Sequence, residues 1–271
     1  MYRANAYQVP ANIQEALELL RNSRRAVVLG GNTWLRLGNR RGLTLVELSR
    51  LGLDRVEEQG DWLCLGAMVP MRELETHPLL RGAFGGVLGQ SVRQIVGVQF
   101  RNQATLGPSV YHKYGFSDLL TALSVLDCEV ELAGAGRMPL EQWLAAPRGE
   151  RDILVALYLR RDGRRAAFES LRNAETDFAV LHAAASQTPA GHWAIAVGAR
   201  PGRARRCPRA EEVMAREGAA AAGRMAAEEL EFGNTLRGSG TYRRALAEIL
   251  VRRALEALEE EARHGAGIDG Q

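Results

Sequence analysis

Three short stretches of the chain carry residue types and spacings suited to chemistry. The first is LGGNTW (29–34), which follows a run of aliphatic residues. Its two glycines, Gly30 and Gly31, let a backbone turn tightly and approach a ligand closely. Successive N–H groups in such a turn form a concavity suited to phosphate, and Thr33 can add a hydroxyl donor. An ordinary turn at the end of a strand uses the same residues. The second stretch, RNQATLGPS (101–109), again places Thr, Gly and Ser after an irregular run. Two separated loops of small residues can clamp the two phosphates of a pyrophosphate from opposite sides. The third stretch, YGFSDLL (114–120), offers Ser117 or Asp118 as the cap of a following helix. In the alternative reading the Asp118 carboxylate accepts hydrogen bonds from the hydroxyls of a ribityl or ribose group.

Other reactive groupings are missing. The first loop lacks GxGxxG, and no GKS or GKT supplies a P-loop. His77, His112, His182, His192 and His264 are scattered, with no HExxH, and no GxSxG supports serine hydrolase chemistry. Cys64, Cys128 and Cys207 stand far apart without a CxxC, so local spacing builds no metal cluster. The acidic run Glu259–Glu261 reads as a solvated helix face. No catalytic side chain and no metal ligand is expected. A chain with so little reactive chemistry of its own points to a cofactor.

The elements that must position these stretches follow from local patterns. Asn12 and Glu15 have the spacing of a capping box, and Ile13, Ala16, Leu17 and Leu20 then form one helix face. RAVVL (25–29) reads as a buried strand running into the first glycine loop, and LTLVEL (43–48) as another. With a first strand around Tyr7–Val9, a βαβ-like unit results. WLCLGAMV (62–69) reads as a strand, 70–74 as the opening of a short helix and 79–95 as partly helical. The spacing then predicts a loop over 100–109, a helix over 117–124, a strand over 128–132 and a helical turn over 139–143. APRGERD (146–152) breaks the apolar pattern and marks a boundary. Strand-like runs follow at 153–159, 165–171 and 193–199. A helix over 209–232 and another over 241–261 close the chain, the latter with Tyr242, Leu246, Ile249 and Leu250 on one face. From His264 the tail is expected to fray.

Composition narrows the class. Of 271 residues, 46% are hydrophobic and 25% charged, ordinary globular proportions that exclude a disordered chain. Basic residues number 35 and acidic residues 32, and every basic residue but Lys113 is arginine. The charges are interleaved along the chain, and the densest basic stretch, Arg200–Arg209, lacks aromatics for base stacking, which argues against a nucleic-acid partner. The start MYRANAYQVP has no apolar signal core, and the longest apolar run, 153–159, is far short of the ~20 residues that span a bilayer. A soluble, cytoplasmic protein without membrane contact is the expectation.

The order of these pieces resembles the FAD-binding subunit of the xanthine dehydrogenase and carbon monoxide dehydrogenase family of molybdenum hydroxylases. LGGNT (29–33) looks like the family's A-G-G-T segment, and RNQATLG (101–107) like its R-N-x-x-T-I-G-G. FSDLLTALSVLDCEVEL (116–132) is similar to S-D-x-x-x-x-L-x-x-L-D-A-x-V-x-L. GAMVPMRELE (66–75), FESLRNAETDFAVLHAAAS (168–186) and GTYRRALAEILVRRAL (240–255) match later blocks in order. The resemblance covers almost the whole chain.

It implies an α+β fold. A PCMH-type FAD-binding α/β domain is expected over 1–150. A small C-terminal domain of three-stranded antiparallel sheet plus helices is expected over 151–265, with a flexible tail over 266–271. It implies FAD, held by Leu29, Gly30, Gly31, Asn32, Thr33 and Trp34 of the first loop and by Thr105, Leu106, Gly107 and Ser109 of the second. Asp118 matches the family's aspartate near the flavin's sugar-alcohol chain. The implied partners are a molybdopterin-binding large subunit and a small subunit with two-iron, two-sulfur clusters. Electrons would pass through FAD to NAD. Where the family has a second glycine this chain has Pro108, which lacks an N–H. A degenerate scaffold subunit with weakened FAD binding is therefore the alternative. A stand-alone sugar-nucleotide reductase with the same flavin fold is a third reading, disfavoured by the C-terminal blocks.

Overall fold

The computed structural model describes residues 2–147, 149 and 151–268. The elements begin with β1 (Arg3–Gln8), α1 (Ile13–Asn22), β2 (Ala26–Leu29), β3 (Arg41–Glu47), β4 (Val56–Gln59) and β5 (Trp62–Gly66). Helices follow: α2 (Met71–Thr76), α3 (Pro78–Gly82), α4 (Val87–Val92), α5 (Val98–Gln103), α6 (Leu106–Tyr111) and α7 (Asp118–Leu123). Next come β6 (Cys128–Leu132), β7 (Gly136–Pro139), α8 (Leu140–Ala145), β8 (Leu154–Arg160), β9 (Arg165–Arg172), β10 (Ala179–Gln187), β11 (Trp193–Gly198) and β12 (Arg205–Arg206). The chain ends in α9 (Pro208–Glu217), α10 (Ala219–Glu229) and α11 (Gly240–Ile268). Two compact units result: 1–73, 97–112 and 128–160 form the first, and 74–96, 113–127 and the chain from 161 form the second.

The first unit holds two sheets. In one, β1, β3 and β2 pair in that order, all parallel, as a βαβ crossover requires. The Asn12 side chain accepts from the Glu15 N–H at 3.0 Å, and the Glu15 carboxylate accepts from the Ala11 N–H at 2.7 Å. These bonds satisfy N–H groups that a helix start leaves open. Ala16, Leu17 and Leu20 on the inner face of α1 pack with Ala26, Val46 and Leu48. At the other end of α1, the Arg151 guanidinium donates to the carbonyls of Leu20 and Ser23 at 2.8 and 2.6 Å. The second sheet is antiparallel, in the order β4-β5-β8-β6-β7.

The boundary expected at 150 meets that sheet directly. The run at 153–159 is the strand β8, inserted between β5 and β6 with Leu157 facing Leu65 and Val130. The turn before it is fixed by Asp152, which accepts from the N–H groups of Gly134 and Ala135 at 2.8 and 2.9 Å.

The second unit is built on an antiparallel sheet in the order β12-β11-β10-β9. Three long strands carry it, and β12 adds a two-residue edge. The central strand β10, AVLHAAASQ, is buried along all but its last residue. On one side α10 and α11 supply Ala222, Ala226, Leu250 and Leu255 to a core with Val180, Ile195 and Val197.

The single helix expected over 209–232 is two, because Gly218 adopts φ +83° between α9 and α10. The buried stripe of α11 is also rotated from the expected face. Leu246, Ala247, Leu250, Val251, Ala254 and Leu258 are buried, whereas Tyr242 and Ile249 are exposed. Arg243 takes the inner place instead. α11 continues to Ile268, and residues 269–271 of the expected tail lie outside the described residues.

Candidate functional site

The first loop leaves β2 at Leu29 and turns through Gly31 at φ +70° and Asn32 at φ +55°, two successive left-handed residues. Trp34 then returns to the right-handed region, and a short 3-10 turn follows over Leu35–Leu37. Thr33 is buried and Trp34 is half exposed. Among the described residues, no hydrogen bond engages the N–H groups of Gly31, Asn32 or Thr33. The Asn32 side chain donates to the Tyr2 hydroxyl at 3.0 Å, while its carbonyl oxygen is buried without a partner.

The second stretch is not the loop its composition suggests. It is the end of α5, an extended step at Ala104 and Thr105, and the start of α6. Pro108 sits in the first turn of α6, where a missing N–H breaks no helical bond. The stretch is tied to the chain before α2. The N–H of Leu106 donates to the Val69 carbonyl at 2.9 Å and that of Gly107 to the Ala67 carbonyl at 2.8 Å. Leu106 is in the core, and a Cβ on Gly107 would lie 2.8 Å from the Ala67 oxygen. Leu106 and Gly107 thus shape this stretch, with their own N–H groups already engaged. Ser109 follows, partly buried, inside α6.

The two stretches meet, as the clamp requires. A Cβ on Gly31 would fall 1.7 Å from the Gln103 oxygen, and one on Gly30 would fall 2.7 Å from Cγ of Pro108 and 3.0 Å from Oγ1 of Thr105. The close approach that glycine permits is therefore an approach of one loop to the other. Sequence reasoning missed Gln103 and Ala104 as that wall, because nothing in a one-dimensional pattern pairs residue 31 with residue 103. Thr105 Oγ1 is buried beside Gly30 with no hydrogen-bond partner. Among the described residues, three N–H groups of the first loop and the buried hydroxyl beside Gly30 thus have no internal partner. Buried polar groups are rarely left so, and a ligand with anionic oxygens satisfies them. These residues fit a pyrophosphate-bearing group.

Asp118 lies in the second unit. Ser117 caps α7, accepting from the Leu120 N–H at 3.2 Å, so Asp118 is free of that task. Its carboxylate pairs at 2.5 Å with Arg172 of β9, both side chains being buried. The same guanidinium donates to the Gln94 side chain and to the Asp177 carbonyl at 3.0 and 2.6 Å. Next to it, His182 is fully buried and its Nδ1 lies 2.9 Å from the Thr121 hydroxyl. Burial pushes the His182 imidazole below its ordinary range, against the pull of Asp118. Arg172 was not singled out by sequence reasoning, because nothing in the sequence pairs an arginine with a carboxylate 54 residues away.

Two family models match the chain: the FAD binding domain in molybdopterin dehydrogenase over residues 2–159, and the CO dehydrogenase flavoprotein C-terminal domain over 166–258. A relative from Paenarthrobacter nicotinovorans, the nicotine 6-hydroxylase medium subunit, is 25% identical, covering 92% of this chain and 95% of its own. Another from the same organism, 6-hydroxypseudooxynicotine dehydrogenase complex subunit alpha, is 26% identical over 95% of each. The crystal structure of quinoline 2-oxidoreductase from Pseudomonas putida 86 superposes with a TM-score of 0.86 at 23% identity, covering 95% of this chain and 97% of that one.

Proposed function

Because the chain belongs to the family of FAD binding domains in molybdopterin dehydrogenases, we propose that its two meeting loops hold the pyrophosphate of FAD. It is the FAD-binding medium subunit of a molybdenum hydroxylase or CO dehydrogenase-type complex, and so an oxidoreductase subunit. The observation that carries the assignment of the loops is the set of unused donors. Among the described residues, the N–H groups of Gly31, Asn32 and Thr33 and the Thr105 hydroxyl have no internal hydrogen-bond partner. FAD, when bound, accepts electrons from one centre and delivers them to another. The residues of this chain do no acid or base work in that role. Gly31 to Thr33 donate to phosphate oxygens, Thr105 adds a hydroxyl, and the Gln103–Thr105 wall keeps the first loop in its left-handed turn.

The partners in this reading are a molybdopterin-binding large subunit and an iron–sulfur small subunit, with NAD taking the hydride. The relatives' names, a nicotine hydroxylase subunit and a subunit of a 6-hydroxypseudooxynicotine dehydrogenase complex, support a nitrogen heteroaromatic as substrate of the whole complex. A scaffold subunit with weakened FAD binding is the second reading. It is favoured by the second stretch, where Pro108 lacks an N–H and those of Leu106 and Gly107 are engaged. The flavin absorption of the chain purified from its native source separates the two. One FAD per chain, co-eluting with iron and molybdenum, is expected. A colourless chain that does not take up added FAD establishes the scaffold reading instead.

A further inference from the structure

The second unit contains a cleft of about 310 Å³ lined by Glu75, Arg81, Gly86, Gly89, Gln90 and Arg93. Arg81 ends α3 and Arg93 follows α4. Among the described residues, neither guanidinium has a carboxylate or hydrogen-bond partner. Two cations lining one cleft repel each other, and an anion placed between them removes that cost. Guanidinium groups bind phosphate through paired, charge-assisted hydrogen bonds.

The wall between the arginines is rigid. The Gln90 amide donates to the Gly85 carbonyl at 2.9 Å and accepts from the Phe168 N–H at 3.3 Å, so both ends of it are fixed. Phe84, Gly85 and Gly86 take φ of +53°, +66° and +70°, three successive left-handed residues, and the Phe84 side chain is buried. A non-glycine residue in that region costs free energy, so this turn is held by its surroundings. A Cβ on Gly86 would lie 3.3 Å from the Arg81 oxygen and one on Gly89 3.2 Å from the Leu74 oxygen, so these glycines let the backbones along the cleft pack closely. Glu75, half-buried in the lining, adds a carboxylate, which repels a bare anion but accepts hydrogen bonds from hydroxyls.

We infer that this cleft binds a phosphomonoester carrying neighbouring hydroxyls, with Arg81 and Arg93 on the phosphate and Glu75 on a hydroxyl. The site is independent of the FAD reading, because it shares no residue with the two loops. Calorimetric titration of the FAD-loaded chain with ribose 5-phosphate and with inorganic phosphate tests it. Saturable binding of ribose 5-phosphate, tighter than that of phosphate, is expected. R81M and R93M should each weaken it at least tenfold, and E75Q should erase the preference over phosphate. Arg81 and Arg93 are exposed, so these variants keep their fold, which thermal melting verifies. Both variants should keep the parent's FAD content, which flavin absorption verifies. Binding of ribose 5-phosphate unchanged in R81M and R93M would overturn the proposal. So would the absence of saturable binding in the parent. A preference that survives E75Q would overturn the role of Glu75.

Discussion

The tripeptide Gly-Asn-Thr occurs in two loops of this chain with opposite outcomes. At Gly31–Thr33, N–H groups and the asparagine side-chain carbonyl have no internal partner among the described residues. At Gly233–Thr235 the chain itself supplies the partners. The Gly233 N–H donates to the Arg200 carbonyl at 2.7 Å, and the Asn234 side chain accepts from the Gly240 N–H at 2.7 Å. Arg243 of α11 closes that loop from within. Its guanidinium donates to the carbonyls of Val180, Gly233 and Gly238 at 2.9, 2.7 and 2.5 Å, and to the Thr235 hydroxyl at 2.6 Å. The same three residues make a closed structural turn where the chain supplies a cation, and an open cradle where it does not. The binding potential of a glycine loop thus lies in what surrounds it.

The strongest way to break that contrast is to remove the cation. Arg243→Met leaves the buried Val180 carbonyl and three part-buried acceptors, the Gly233 and Gly238 carbonyls and the Thr235 hydroxyl, without their donor. The expected cost is roughly 3–5 kcal/mol of stability, with Arg243→Lys recovering part of it. Urea unfolding measures this. A midpoint equal to the parent's would mean that the loop is held by its backbone alone.

The second way is to disturb the open cradle itself. Gly31→Ala adds a methyl group 1.7 Å from the Gln103 oxygen, at a φ of +70° that L-residues avoid. The stretches must separate, at a cost of roughly 2–4 kcal/mol, and the FAD content of the purified chain should fall with the melting temperature. Retention of FAD at the parent's level would detach the first loop from the cofactor.

Much of this architecture was legible because it is local. The Asn12 cap, the apolar face of α1, the strand at 26–29 and the Ser117 cap all depend on residues within four positions of one another. What was not legible depends on distant partners. β10 reads AVLHAAASQ, an alanine-rich run without strand alternation, and it is a strand because layers bury it on both faces. β4, VEEQ, is mostly exposed and owes its pairing to β5. In the candidate site, the glycines and Thr105 stand out by their types. The reason for Gly31, the Gln103 carbonyl, lies 72 residues away and left no trace in the pattern. Pro108 looked like a lost donor, and its ring also packs over Gly30.

A smaller effect is expected from the hydroxyl of the closed loop. Thr235→Val removes the acceptor of the Arg243 Nη2 group and of the Arg237 N–H, which reach it at 2.6 and 3.2 Å. An engaged hydroxyl lost in this way costs about 1–2 kcal/mol, read in the same urea titration. An unchanged midpoint would show that water replaces the hydroxyl and that the loop is less closed than its bonds indicate.

The smallest effect on stability, and the sharpest comparison, belongs to the hydroxyl of the open cradle. Thr105 Oγ1 is buried with no partner, so Thr105→Val deletes a polar atom that forms no bond and keeps the shape of the side chain. In the FAD-free chain the midpoint should stay the same or rise slightly, the opposite sign to Thr235→Val, because an unsatisfied buried hydroxyl is a cost that valine lacks. In the presence of FAD the order reverses. A hydrogen bond to a charged phosphate contributes about 1.5–3 kcal/mol, so FAD should bind at least roughly tenfold more weakly to the valine variant. Fluorescence titration of the apo-protein gives the affinity, and unfolding without FAD gives the stability. If Thr105→Val destabilises the FAD-free chain as Thr235→Val does, its hydroxyl has an internal partner and the cradle is not open. If FAD affinity is unchanged, Thr105 only shapes the wall against Gly30, and the phosphate contacts rest on the first loop alone.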